Sequence, residues 1–143
     1  MISYRDTVKF IPPITRGTVV KVYDGDSITV ASRLPHNDSP LYRFPVRING
    51  IDCPEIRSKS KVEKRCAKAA RDFLASMVFQ KNVSLSVLDM DKYGRMLADV
   101  YVQDSDSTEI EVNVADILVK NRMAIPYFGG RKQKVDWENL ESN

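Results

Sequence analysis

The stretch Arg47-Ile-Asn-Gly-Ile-Asp-Cys-Pro-Glu55 brings one guanidinium and two carboxylates together at one place in the chain. Two carboxylates can hold a hard cation, and a guanidinium can grip an anion such as phosphate. The same three groups would also fit an ordinary surface turn with an Arg–carboxylate ion pair, so this stretch alone leaves both readings open. Its backbone is informative. Phe44, Val46 and Ile48 alternate with Pro45, Arg47 and Asn49, which predicts a strand. Pro54 then fixes a rigid turn and pushes Cys53 towards an extended conformation. Arg47, Asp52 and Glu55 therefore leave a strand end at set positions.

A third acid stands out upstream. Thr18, Val20 and Val22 alternate with Val19, Lys21 and Tyr23 as a strand, and Asp24-Gly25 is a two-residue hairpin signal. On the return strand Asp26 shares a face with Ile28 and Val30. A carboxylate on an apolar face needs a partner or an exposed rim. Asp24 is explained by the turn; Asp26 is not. Further on, Asp91-Lys-Tyr-Gly-Arg95 makes a tight turn before a strand in which Met96, Ala98, Val100 and Val102 share one face. Arg95 lies on the opposite face, as Arg47 does on its own strand. Two such arginines could converge on one anion if the strands are neighbours, which periodicity cannot decide.

The remaining elements form a frame. Leu34–Leu41 is a polar loop holding the single histidine, His36, to which we assign no chemistry. Ser60-Lys-Val-Glu63 predicts a capping box at a helix start, with Cys66, Ala70, Phe73 and Met77 as its core stripe. A strand through Val83, Leu85 and Val87 follows. After a polar loop at 103–108, a short strand is expected at 109–112. Asn113 caps a second helix with Val114, Ile117 and Leu118 inward, ended by Asn121 as a left-handed terminator. Residues 127–130 form an aromatic, glycine-rich loop, and 135–140 a short last helix. The chain is expected to be one domain, with residues 1–13 an irregular extension and 129–143 a short tail or helix.

Composition is that of an ordinary globular protein, 43% hydrophobic and 29% charged, with no apolar run long enough for a membrane span. The start of this chain carries no hydrophobic signal region, so an intracellular setting is slightly favoured. Net charge is only +3, but it is segregated. Seven basic residues and one acid lie between Arg57 and Arg71, and Arg131, Lys132 and Lys134 form a second cluster. Asp104, Asp106, Glu109, Glu111 and Asp116 lie in a stretch without Lys or Arg. One basic side could steer a polyanion. Cys53 and Cys66 do not make a zinc pattern; a disulfide would join turn to helix, but free thiols are expected.

Taken in order, Tyr-Asp24-Gly-Asp26-Ser, Arg47…Gly-Ile-Asp52-Cys-Pro-Glu55 and Asp91-Lys-Tyr-Gly-Arg95 resemble the staphylococcal nuclease (thermonuclease) family over about residues 15 to 128. The resemblance implies an α+β fold, a five-stranded OB-fold barrel with about three helices. It implies calcium-dependent hydrolysis of phosphodiesters in DNA and RNA, leaving 3′-phosphates; single-stranded or frayed substrate regions and a monomer are expected. By motif, Asp26, Asp52 and the Cys53 backbone carbonyl would bind Ca²⁺, and Arg47 and Arg95 would clamp the scissile phosphate. Glu55 would orient or deprotonate the attacking water, with Tyr93 and Tyr127 in the substrate pocket. The charge of the basic segment, apart from any motif, would put Lys59, Lys61 and Lys64 along the nucleic-acid backbone. The chain departs from the family pattern in an expanded 34–41 loop, a more basic loop after Glu55 and a shorter tail. The competing reading is an inactive OB-fold module that binds nucleic acid or protein. Such a module would be expected to lack one of Asp26, Arg47, Asp52, Glu55 or Arg95, and none is missing.

Overall fold

β1 (Arg16–Asp24) turns at Asp24-Gly25 into β2 (Ser27–Arg33), and β2 pairs antiparallel with β3 (Leu41–Ile48). The computed structural model describes residues 1–104 and 109–142, so most of the polar 103–108 loop and the acid Asp106 lie outside the described residues. β3 leads through Gly50 into the two-residue β4 (Ile51–Asp52), and α1 (Lys61–Val78) follows the basic loop. β5 (Asn82–Met90) and β6 (Met96–Gln103) form a second hairpin around the 91–95 turn. Then come β7 (Glu111–Asn113), α2 (Val114–Lys120), β8 (Ile125–Pro126) and α3 (Trp137–Ser142). Before β1, residues 1–13 hold a single 3₁₀ turn at Tyr4–Asp6.

The strand order is β3-β2-β1-β5-β6-β7, and a parallel pairing of β3 with β6 closes the first five into a barrel. This is an OB-type barrel of mixed strands with three helices, the α+β fold that the sequence leads one to expect. Its interior is filled by the inward faces of those strands, with Val19, Val30, Val46, Ile48, Ala98 and Val100 fully buried. α1 and α2 pack against the barrel strands, α3 packs on α1, and Trp137 at the start of α3 is buried.

Several local expectations shift. A bulge between Val19 and Lys21 interrupts the β1 alternation, so Val19 is in the core while Val20 is exposed. The α1 core face is centred on Cys66, Ala67, Ala70, Leu74 and Val78; Phe73 and Met77 only flank it. An amphipathic stripe is wider than one row of residues, and the sequence pattern picked its edge. Only half of the capping box forms. Ser60 Oγ accepts from the Glu63 N–H at 3.2 Å, but the Glu63 carboxylate turns away from the Ser60 N–H. Asn113 caps α2 as expected, accepting from the N–H groups of Ala115 and Asp116. The left-handed residue after α2 is Arg122 (φ 60°), one beyond Asn121. β7 begins two residues later than expected, and α3 likewise. Cys53 and Cys66 are buried free thiols.

Candidate active site

Three chain segments meet where the β1–β2 turn, the residue just after β4 and the middle of α1 touch. Gly25 shows how closely they meet: a Cβ there would sit 2.8 Å from Cys53 Sγ and 2.9 Å from the Ala70 methyl. Only glycine lets the turn carrying Asp26 press against the 51–55 segment and α1 at once. Asp52 does not sit in a free turn. β4 pairs antiparallel with β8, placing Asp52 opposite Ile125, and this ladder fixes its direction.

Both carboxylates are buried, with Asp26 at 8% and Asp52 at 6% exposure. Asp26 Oδ1 accepts from Ser27 Oγ at 3.1 Å, and its Oδ2 accepts from the Cys53 N–H at 3.2 Å. Asp52 Oδ1 is different: it is the one buried side-chain oxygen among the described residues without a hydrogen bond. Arg47 lies between the two acids, its Nη2 3.6 Å from Asp26 Oδ2 and 3.7 Å from Asp52 Oδ1. Its short bonds go to backbone instead, donating to the carbonyls of Ile48 at 2.7 Å and Ile51 at 2.8 Å. Those bonds lock the guanidinium as a fixed positive charge beside the carboxylates.

Arg95 approaches from the neighbouring strand. The parallel β3–β6 register pairs Arg47 with Leu97, so Arg95, just before β6, stands at the same end of the barrel. Asp91 holds it, accepting from Arg95 Nε at 2.7 Å and from the Arg95 backbone N–H at 2.9 Å. Arg95 Nη1 also reaches Ser27 Oγ at 3.3 Å, which ties it to the residue beside Asp26. Asp26, Arg47, Asp52, Glu55 and Arg95 thus line one open cleft of about 280 Å³. The convergence that periodicity could not decide is present.

A family model described as "Staphylococcal nuclease homologue" matches residues 45–142. The chain belongs to this family. It is 34% identical over 131 residues to Protein ParB of Escherichia coli, covering 88% of this chain and 66% of that protein. It is 31% identical over 115 residues to a micrococcal nuclease of Shigella flexneri, covering 78% of this chain and 58% of that one. A probable endonuclease of Schizosaccharomyces pombe is 28% identical over 128 residues, 79% of this chain and 56% of the relative. The chain therefore spans between about half and two thirds of the length of these curated relatives.

Charge balance in this staphylococcal nuclease homologue is tense. Burial, and then the neighbouring Asp26, push the Asp24 carboxyl up to about 7. Its Oδ1 accepts from the Asp26 N–H at 3.2 Å, so the acid that the turn seemed to explain also lines the cleft. Burial also pushes the Cys53 thiol up, with Asp26 and Asp24 adding to it, so Cys53 stays protonated and inert. Partial burial would raise Asp91, but its hydrogen bonds from Arg95 outweigh that and hold it below the usual carboxylate range.

Among the described residues, no three His, Cys, Asp or Glu side chains are gathered as a metal cage. What the cleft offers is two buried carboxylates, one with an oxygen that faces positive charge but accepts no hydrogen bond. That donor set fits a hard cation which takes oxygen ligands and completes its shell with carbonyls and waters. It does not fit a soft metal needing several Cys or His ligands.

Glu55 is more exposed, its side chain at 64%, at the mouth of the cleft. Tyr93 and Tyr127 line an adjoining cleft of about 450 Å³ together with Phe128, and Arg47, Tyr93, Arg95 and Lys132 border both clefts. Lys59, Lys61 and Lys64 are exposed and line neither; of the basic loop, Arg57 does. Sequence reasoning missed Asp24, Asp91 and above all Lys132. The Lys132 Nζ lies 3.1 Å from Asp52 Oδ1, without hydrogen-bond geometry, and 3.7 Å from Glu55 Oε1. Partial burial pulls its pKa down, but Asp52 and Glu55 outweigh this and hold it above an ordinary lysine. Membership of the Arg131–Lys134 cluster was the only signal for it in the sequence.

Proposed function

We propose that this domain is a calcium-dependent nuclease that hydrolyses phosphodiester bonds of DNA and RNA with little sequence preference, leaving 3′-phosphates. The observation that carries this reading is the buried carboxylate pair of Asp26 and Asp52, with Arg47 and Arg95 lining the same cleft. Asp26, Asp52 and the Cys53 carbonyl would hold Ca²⁺. Bound there, Ca²⁺ supplies charge that polarises a phosphate and helps to order water.

The chain's own residues do the rest. Arg47, locked by two carbonyls, and Arg95, locked by Asp91, present positive charge to the phosphate without having to reorganise. Attack on phosphorus places more charge on the equatorial oxygens, so such fixed donors bind the transition state better than the ground state. Glu55, exposed at the cleft mouth, would take a proton from the attacking water. Tyr93 and Tyr127 give flat surfaces on which a base can stack, which favours unpaired or frayed strands. Exposed Lys59, Lys61 and Lys64 would track the backbone beyond the cleft. The domain acts as a monomer in this reading.

Plasmid and RNA degradation assayed with Ca²⁺, with Mg²⁺ and with chelator tests the proposal. Cleavage should need Ca²⁺ and stop on chelation. Tight nucleic-acid binding with no cleavage under any condition would replace it with the inactive-module reading.

A further inference from the structure

The β4–β8 ladder has a consequence for charge. β8 sets Ile125 opposite Asp52 and ends at Pro126, and the chain then runs through the 127–130 loop and returns Lys132 to the same carboxylate. Gly129 and Gly130 carry φ of 99° and 84°, a left-handed pair that side-chain-bearing residues rarely adopt, and both line the adjoining cleft. Lys132 Nζ then lies between Asp52 Oδ1 at 3.1 Å and Glu55 Oε1 at 3.7 Å, and 5.9 Å from the Tyr127 ring centroid.

The two cations near Asp52 are not equivalent. Arg47 is 12% exposed and tied to two carbonyls, so it is a permanent part of the barrel end. Lys132 is half exposed and reaches in on a long flexible side chain from a loop. It makes the shortest contact of any cation to Asp52, on the oxygen that has no hydrogen bond. A calcium ion bound to a carboxylate oxygen sits about 2.3–2.6 Å from it. An ammonium and a divalent cation on that one oxygen would repel strongly in a site this buried.

We propose that Lys132 is a tethered competitor for the metal position. Its ammonium neutralises Asp52 and Glu55 while no divalent cation is present, and it must withdraw before one can coordinate Asp52. Lys132 thereby sets how much Ca²⁺ the site requires. This rests on the calcium reading of the Asp26–Asp52 pair.

Calorimetric titration of Ca²⁺ into the wild-type chain, Lys132→Gln and Lys134→Gln, without nucleic acid, tests it. Lys134 is exposed two residues further on, so its variant makes the same change in net charge without removing the contact. Lys132→Gln should bind Ca²⁺ about 2- to 150-fold tighter than Lys134→Gln, the range for two groups in direct contact. Without metal, Lys132→Gln should also melt below Lys134→Gln, because Asp52 has lost its closest counter-charge. Equal Ca²⁺ affinities in the two variants, with wild type still binding, would overturn the competitor and leave the calcium site standing. Failure of all three proteins to bind Ca²⁺ would overturn the calcium reading and the competitor with it.

Discussion

The Glu63 carboxylate accepts a hydrogen bond from the Glu55 backbone N–H at 2.9 Å. The residue expected to close a capping box on α1 is used instead to anchor the candidate base to the first turn of that helix. Glu55 thus has a fixed main chain and a largely exposed carboxylate with Lys132 as its charged neighbour. Glu55→Gln keeps size and hydrogen bonding but cannot take a proton. As a general base, its loss should lower kcat roughly 10²–10⁴-fold, with Ca²⁺ affinity changed far less. The acidic limb of the pH–rate profile should change with it. A Gln variant within a few-fold of wild type would leave Glu55 as no more than a partner of Lys132, a contact of about 0–1 kcal/mol.

The arginines make a sharper test because their anchors differ. Arg47 is held by carbonyls and Arg95 by Asp91, and both line the cleft. Arg47→Lys and Arg95→Lys retain charge and lose the planar fork. Each should lose about 2–4 kcal/mol of transition-state stabilisation, read as kcat on saturating substrate. Near-normal kcat in a folded Lys variant would make that arginine a positioning charge only.

Much of this arrangement was legible because it is local. The Asp24-Gly25 hairpin, the β3 and β6 alternations and the Ser60 and Asn113 caps each depend on residues a few positions apart. The five residues expected to do chemistry share one cleft. What stayed hidden is non-local. The parallel β3–β6 closure that brings Arg47 and Arg95 to one end leaves no periodic trace in either strand. The β4–β8 pairing joins residues over 70 positions apart, and only it explains why Lys132 meets Asp52. The β1 bulge and the diversion of Glu63 depend on what packs above them, which no window of sequence contains.

Lys59, Lys61 and Lys64 are exposed on the approach to α1 and its first turn, outside both clefts. If they follow the polyanion backbone, replacing all three with Gln should flatten the slope of log K against log salt by about 2–3, the loss of three phosphate contacts. KM should rise while kcat on saturating short substrates stays similar. An unchanged salt slope would return them to ordinary solvated charge.

The metal assignment can be tested without any turnover. Asp26 and Asp52 are buried, and their nearby positive charges, Arg47 and Lys132, satisfy Asp52 Oδ1 with no hydrogen bond. A cation that binds the folded state and not the unfolded chain must stabilise it, by about 2.7 kcal/mol at a hundred times Kd. For a domain of this size that is a rise in Tm of about 5–10 °C. Asp52→Asn keeps the shape of the side chain and removes the charge, so its Tm should respond little to Ca²⁺ at the same concentration. Mg²⁺ should give a smaller rise than Ca²⁺ in the wild-type chain, since it demands stricter octahedral geometry than two carboxylates, a carbonyl and waters provide. An equal Ca²⁺-induced rise in wild type and Asp52→Asn, measured by differential scanning calorimetry, would place the cation somewhere other than this cleft.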